Sequence, residues 1–519
     1  AAVQDPASTP GAPVERDLLQ WLVHALVALG ASAACLQVPP LESEMHALTR
    51  ALSGEAFSDT WTAVVHAPLH PLLQSFSGAL DRRWGPFESL APYRLWNVPF
   101  VVAGSFSLAR LVTRLGAPAA SASACVLAFL GPFLLTQGGT SANYVLEASI
   151  VVVSLDHLFA FVAHPGHRGV AAALAVGLAA SLGYMTVPVL APAVVATLFV
   201  LVRRRRLRSV GVFVTALALT TMPLWSRLLT GATLVLAASG VLDEGSLAAG
   251  HVPFPLRPEQ RPWSDFAFVV HHQLGLPSAW IVAAAGLAAG IRRPLAWWPL
   301  GTAVLVSVAG FWVYFVPHNL VVIAPLVAMT LAMGVFRFLP DRPLVAWGGV
   351  VASLLLVGHA WVTVQPEFME RCEPGVRGRV GLARLAALVP ARATIVLVGG
   401  GTNPIATLRA WCLPRAPVRA CLEVPIGPPP PHTVLFEERR LAGDRFVLGL
   451  AGEASARREA VLAFLDRTAP DGYWLVRDGE SRRPEDEGLD GLALDHCRVV
   501  GLDAGWTLHH CAPRGGGPP

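Results

Sequence analysis

The chain has 519 residues, of which 54% are hydrophobic and only 14% charged, and its mean hydropathy is +0.53. A soluble protein carries roughly 25% charged residues, so this much apolar sequence argues against disorder, a coiled coil or a nucleic-acid-binding domain. The net charge of +4 sits wholly in the apolar part. Residues 366–519 hold 19 acids and 19 Arg, residues 1–365 hold 16 acids and 20 Arg, and Lys is absent.

A helix needs about 20 apolar residues to cross a bilayer. Eleven windows qualify, near 17–38, 93–113, 117–136, 143–163, 169–185, 186–202, 209–229, 277–291, 295–315, 318–336 and 343–363. Residues 169–202 form one apolar run, expected to break at Pro188 and Pro192. The first window lacks a basic leader and a small-residue cleavage site, so it reads as a retained span. With the N-terminus cytoplasmic, 13 of the 20 Arg fall on short inner segments, among them Arg110, Arg114 and Arg203–Arg206. That is the positive-inside bias, and eleven spans then place the C-terminal tail outside. Residues 1–16 are the expected cytoplasmic end, 17–365 the membrane domain and 366–519 a small α/β domain. Five of the seven Cys lie in that tail, where an oxidising compartment permits disulfides; Cys412 with Cys421 and Cys497 with Cys511 are the candidate pairs, against reduced thiols at even odds.

Two outer segments, 39–92 and 229–276, are too long to be simple connections. The first carries Glu42, Glu44, Glu55, Asp59, His66 and His70. Stretches 42–52 and 55–65 have helical apolar spacing and suit surface-lying amphipathic helices. Acids and His at an outer face can serve acid–base chemistry on a lipid-borne substrate; a solvated helix face explains the same charges. The second carries Arg257 and Arg261, which suit a phosphate or lipid headgroups equally, and Trp263, which suits the interface or a sugar. Within the spans, Glu147 and Asp156 are nine residues apart and so on opposite faces of a helix. Glu147 is expected near the outer end and Asp156 near the inner end, reaching water.

In the tail, residues 394–398 read as a buried strand, followed by Gly399-Gly400-Gly401-Thr402. A strand, Gly-rich turn and helix can cradle phosphate, but half of a dinucleotide fingerprint is missing, no βαβ unit stands out, and an ordinary turn is favoured. Further strands are expected near 445–450, 473–477 and 497–501, with a helix at 454–467. No cysteine spacing resembles a zinc site.

Several stretches resemble those of one family, in order. Ser43-Glu44-Met45-His46 resembles an Asp-Glu motif opening a first outer loop, and His66-Ala67-Pro68-Leu69 a His-Pro-Pro-Leu segment. Tyr93-Arg94-Leu95 resembles a second-span start, Gly131-Pro132-Phe133 through Tyr144 a span hairpin, and Pro317-His318-Asn319-Leu320 a Pro-Arg-Tyr-Leu segment. Together they resemble the GT-C superfamily of membrane glycosyltransferases, in its bacterial family-39-like branch, related to protein O-mannosyltransferases and the aminoarabinose transferase. The resemblance implies a mainly α, polytopic inner-membrane protein of about 11 transmembrane helices with a periplasmic α/β domain. It also implies transfer of a sugar from a polyprenyl-phosphate donor to a lipid, glycan or protein acceptor at the outer face. Glu44 is then the expected base, with Glu42 next and Asp59 or Glu55 behind, and His66, His70, Arg257, Arg261, Trp263, Tyr144 and His318 bind substrate. No cofactor is required by these residues; a divalent metal stays open. Nucleic acid is not an expected partner, whereas membrane lipid is. The sequence departs from the family pattern at Ser43 (Asp in the family), at Val64 (a second acid) and near Thr140, Ser141 and Ala142 (Glu-Ala-Arg). Those departures keep two alternatives open: a catalytically silent subunit of the same fold, or a transporter or flippase of a lipid-linked sugar.

Overall fold

The computed structural model describes residues 12–38, 69–84, 90–139, 144–166, 168–183, 186–225, 279–292, 297–313, 321–335, 340–372, 393–399, 420–425, 436–441, 445–450, 471–478 and 497–512, with a few single positions between. The chain is a multi-pass helical membrane protein followed by a small mixed sheet.

The helices in chain order are α1 (Ala12–Gln37), α2 (Leu69–Trp84), α3 (Ala91–Arg94), α4 (Asn97–Arg114), α5 (Ser121–Phe129), α6 (Pro132–Gly138) and α7 (Tyr144–Ala163). They continue as α8 (Arg168–Leu182), α9 (Thr186–Arg203), α10 (Leu207–Thr220), α11 (Ala279–Arg292), α12 (Trp297–Val313), α13 (Ala324–Gly334) and α14 (Pro343–Cys372). Every apolar window of the sequence thus holds a helix or a helix pair. Among the described residues, five helical stretches meet both the length and the apolarity of a membrane span, or six if the pair α5–α6, bent by 57°, counts as one.

What marks these helices as membrane-embedded is their outer face. On α1 the buried positions recur every four residues, at Leu19, Val23, Val27, Ala31 and Cys35. That is one helical stripe, yet the opposite face carries Leu18, Trp21, Leu29 and Leu36, all exposed. Val195 and Phe199 on α9 and Leu344 and Val362 on α14 are exposed in the same way. Contiguous apolar exposure on this scale is stable only where the solvent is itself apolar.

The core is built on the broken pair α5–α6, every residue of which is buried. It is surrounded by α1, α4, α13 and α14, and α4 packs along α7. Phe133 of α6 meets Phe368 of α14 edge-on, ring centres 4.5 Å apart. The break falls at Gly131-Pro132, where Pro opens the second helix at a position that needs no N–H partner. The expected break at Pro188 and Pro192 is displaced. The chain leaves α8 at Leu182 and starts α9 at Thr186, so Pro188 lies in the first turn of α9 and Pro192 inside it. First-turn Pro removes no helical hydrogen bond, so the turn comes before it. Likewise α14 runs past Pro366 to Cys372, beyond the expected end of the membrane domain at 365.

Among the described residues the tail holds seven strands: β1 (Thr394–Gly399), β2 (Ala420–Pro425), β3 (Phe436–Leu441), β4 (Arg445–Leu450), β5 (Tyr473–Asp478), β6 (Cys497–Asp503) and β7 (Trp506–Cys511). Their order is β3-β4-β2-β1-β5-β7-β6. β4, β2, β1 and β5 are mutually parallel and the other pairings antiparallel. No βαβ unit stands out in the sequence, yet β1, β2 and β4 lie side by side in parallel, and such neighbours are joined by crossovers rather than hairpins. Cys497 and Cys511 stand opposite each other on β6 and β7 and form a disulfide. Cys412 lies outside the described residues.

Candidate functional site

Hydrogen bonds between helices sort their ends into two groups. At one end of the bundle, Arg94 donates from Nη1 to the carbonyls of Cys35 (3.1 Å) and Val38 (2.7 Å). Asn97 Nδ2 donates to the carbonyl of Gly138 (2.8 Å). The Cys35 thiol donates to the carbonyls of Arg94 and Gly138, both at 3.4 Å. At the other end, Gln20 donates to Ser121 (3.2 Å), and Arg110 and Arg114 grip Asp156. The first end is the one from which segments 39–68 and 140–143 leave; the second carries the arginines of the positive-inside pattern.

Arg94 is 3% exposed, and its cost of burial is met by the end of α1. The last carbonyls of a helix have no intrahelical donor, and the dipole there favours a cation. Arg94 supplies both donor and charge, and so fixes the point at which the chain leaves α1 toward Glu42 and Glu44. Glu147, 2% exposed, occupies the first turn of α7, where the dipole favours an anion. Gln137 and Thr136 are fully buried on α6, with Thr136 Oγ1 donating to Pro132 O (2.6 Å). Tyr144, half-buried, opens α7 and packs against the core.

Helix α2 covers this end from the side. Gln74 donates to Tyr93 O (2.9 Å), Ser77 to Pro92 O (3.0 Å) and Trp96 Nε1 to Ser77 Oγ (2.8 Å). Phe76 meets Trp96 edge-on with ring centres 5.6 Å apart. His70, the second residue of α2, is buried. Of the residues singled out in the sequence, His70 and Tyr144 are thus placed at the end of the bundle that carries Arg94. Glu42, Glu44, Glu55, Asp59, His66, Arg257, Arg261, Trp263 and His318 lie outside the described residues, as do stretches 42–52 and 55–65. Sequence reading missed Arg94 and Asn97 as ties between α1, α4 and α6. Arg94 carried the signal, being a charge at the start of an apolar span, where charge is expensive unless paired.

The opposite end corrects a second expectation. Asp156 does not reach water; its carboxylate is 4% exposed. Arg110 binds it at 2.8 Å through Nε and Nη2, and Arg114 binds the same carboxylate while donating to Asp156 O at 2.7 Å. The α7–α8 turn is tied in by Arg204, which donates to Val162 O (3.1 Å). Between the two ends the buried polar groups pair locally: His24 Nδ1 lies 2.6 Å from Ser105 Oγ, and the Cys125 thiol donates to Ser105 O (3.1 Å).

An apolar groove of about 760 Å³ lies between α9 and α12, lined by Pro188, Pro192, Val195, Phe199, Leu305 and Val306 among others. Among the described residues, no three His, Cys, Asp or Glu side chains come together as metal ligands.

No family model matches this sequence, and no curated protein matches it. Two solved structures match over nearly the whole length. ArnT from Cupriavidus metallidurans in the apo state shares 15% identity, over 94% of this chain and 97% of that one, with a TM-score of 0.56. The same protein bound to undecaprenyl phosphate gives 15% identity, 96% and 99% coverage and a TM-score of 0.56. This chain has the fold of ArnT. The likeness extends through the C-terminal part, since both chains are covered almost end to end.

Proposed function

We propose that this GT-C-fold protein is a membrane glycosyltransferase that takes a sugar from a polyprenyl-phosphate donor. The observation that carries the reading is the end-to-end likeness to ArnT bound to undecaprenyl phosphate. In this reading eleven spans cross the inner membrane and the sheet domain lies on the periplasmic side. The disulfide Cys497–Cys511 suits such an oxidising compartment.

A carboxylate of the first outer segment takes the proton of the acceptor hydroxyl. The acceptor oxygen forms a bond to the anomeric carbon as the carbon–oxygen bond to the donor phosphate breaks, with inversion. The polyprenyl phosphate leaves as an anion, so cationic groups rather than a general acid stabilise it. Glu44 is the first candidate base and Glu42 the second, with Asp59 and Glu55 following. Both leading candidates follow within a few residues of Val38, whose carbonyl Arg94 holds. Arg257 and Arg261 are the candidate phosphate contacts, with His66, His70, Trp263, Tyr144 and His318 toward the sugar and acceptor. The groove between α9 and α12, apolar along its length, suits the prenyl chain.

The test is a transfer assay in membranes with radiolabelled polyprenyl-phosphate sugars, comparing the natural chain with Glu44→Gln and Glu42→Gln. Transfer abolished by either substitution names the base. Transfer unaffected by both moves the base to Asp59 or Glu55. No transfer from a folded protein with any donor overturns the reading in favour of a silent subunit, which Ser43, Val64 and Ala142 in place of family acids and Arg would then explain.

A further inference from the structure

The turn between α9 and α10 carries more charge than its own fold can use. Residues 203–208 read Arg-Arg-Arg-Arg-Leu-Arg, five arginines in six positions. All five are exposed. Arg204 is engaged, donating from Nη1 to Val162 O. The side chains of Arg203, Arg205, Arg206 and Arg208 have no hydrogen bond or carboxylate partner among the described residues.

The backbone shows that these charges are not there to make the turn. α9 closes with Arg205 N donating to Val202 O (2.9 Å) and Arg206 N to Leu201 O (2.9 Å). That pair of bonds is the Schellman helix ending, whose left-handed position is usually glycine. Here Arg205 occupies it at φ 55°, a conformation unfavourable to a residue with a Cβ. Arg203 and Arg204 suit the negative end of the α9 dipole. Arg206 and Arg208 stand instead at the cap and in the first turn of α10, where the dipole favours an anion. The Arg206 side chain makes no capping bond there, and like charges this close repel one another. An anion from outside the chain would offset all three effects.

The surroundings select the anion. Phe199, one helical turn before Arg203, is exposed, as are Val202 and, on α10, Leu207 and Val212. On both helices these side chains face hydrocarbon, so Arg203 stands about 6 Å along the axis from a lipid-facing ring. That is the depth of lipid phosphates. Arginine lays its stem on apolar surface and carries its charge out to headgroup level, and its planar fork of donors matches phosphate oxygens. The turn is also held in place. Arg204 ties it to the end of α7, and Ser209 Oγ donates to Pro165 O (3.2 Å). Those bonds join it to the α7–α8 turn, from which Arg168 opens α8.

We propose that the α9–α10 turn binds the headgroups of anionic phospholipids, with Arg203, Arg205, Arg206 and Arg208 pairing with their phosphates. In the topology proposed above these are lipids of the cytoplasmic leaflet, and the site is separate from sugar transfer.

The test is native mass spectrometry of the full chain from detergent micelles, titrated with phosphatidylglycerol or with phosphatidylcholine of the same acyl chains. The natural chain should bind phosphatidylglycerol about tenfold more tightly or better. The triple variant Arg205→Gln, Arg206→Gln, Arg208→Gln should lose that preference, at about fivefold for each charge removed. Arg204 stays, because it ties the turn. Arg342→Gln, at an exposed arginine in the turn before α14, is the control and should keep the preference. Amide hydrogen exchange at residues 203–209 in nanodiscs should slow when half of the phosphatidylcholine is replaced by phosphatidylglycerol. That measurement needs no variant and decides the matter if the triple variant misfolds. Equal affinity for the two lipids overturns the proposal, as does a preference that the triple variant keeps or that Arg342→Gln loses as fully. Exchange at 203–209 indifferent to phosphatidylglycerol overturns it too. Protection there by polyglutamate and not by phosphatidylglycerol would assign the arginines to an acidic protein segment instead.

Discussion

Replacing Gly139 by Ala tests whether the junction of α1, α4 and α6 sets the outer-loop end of the bundle. Gly139 follows α6 with φ −82° and ψ 5°, a conformation open to any residue, so alanine introduces only its methyl group. That carbon would lie 2.5 Å from the Ala34 carbonyl oxygen, 2.5 Å from Val38 Cγ2 and 2.8 Å from Ala34 C, where real Cβ atoms stay beyond 3.0 Å. The Val38 side chain can turn away; the Ala34 backbone cannot. The last turn of α1 must therefore move by about 0.5 Å, and Ala34 O is the acceptor for Val38 N at 2.9 Å. Arg94 holds Val38 O at 2.7 Å, and the same shift takes that bond to about the limit of good geometry. Overpacking costs about 1–3 kcal/mol, and a weakened charged hydrogen bond adds up to about 1.5–3 kcal/mol. The expected outcome is a melting temperature lower by several degrees in detergent and, if the loop beyond Val38 carries the base, transfer reduced by about tenfold or more. Gly348→Ala on α14 is the control, because nothing lies within 4 Å of its added carbon. Natural melting and natural transfer in Gly139→Ala would refute the argument.

Asp156→Asn removes the charge that Arg110 and Arg114 share. Both arginines are partly exposed, 54% and 32%, and can turn to water, so the cost is limited to about 1–3 kcal/mol, read as a lower melting temperature. Cys511→Ser opens a disulfide that spans 14 residues of sequence, and the chain-entropy estimate for such a loop is about 3 kcal/mol. The tail should unfold at lower temperature, and a reductant should reproduce the effect in the natural chain. His509, whose pKa lies below its ordinary value of 6.5, is neutral when folded. The unfolded chain takes up its proton first, so stability is full above 6.5 and falls as pH drops below it. His509→Gln should flatten that decline in a melting series from pH 7.5 to 5.5.

The helices were legible because apolar length in a membrane is a one-dimensional signal: the windows near 143–163 and 186–202 meet helices Tyr144–Ala163 and Thr186–Arg203 at nearly the same bounds. What bends or ties them was not. Gly131-Pro132 reads as a hairpin until Ser121–Gly138 is seen enclosed on all sides, and Arg94 reads as one outer charge until Cys35 and Val38 supply its acceptors. In the tail, β1, β4, β5 and β6 were visible as apolar or alternating runs. β2 (Ala-Cys-Leu-Glu-Val-Pro) was not read as a strand, nor were β3 (Phe-Glu-Glu-Arg-Arg-Leu) and β7 (Trp-Thr-Leu-His-His-Cys), whose polar content hides strands that only cross-strand pairing stabilises.

The enclosed pair α5–α6 bears on how the protein is assembled. Its residues touch protein throughout, so packing rather than lipid chooses them, and Ser121, Ser123, Thr136 and Gln137 are tolerated within it. A break in the middle of a span leaves backbone groups that hydrocarbon cannot solvate. Such a segment is held at membrane depth only in company, as a passenger of its neighbours. One of those neighbours, α14, is the last helix of the bundle, and its Phe368 closes on Phe133. The enclosed pair therefore stays unfinished until α14 has joined it, and a chain released before residue 343 leaves Phe133 without the ring that covers it.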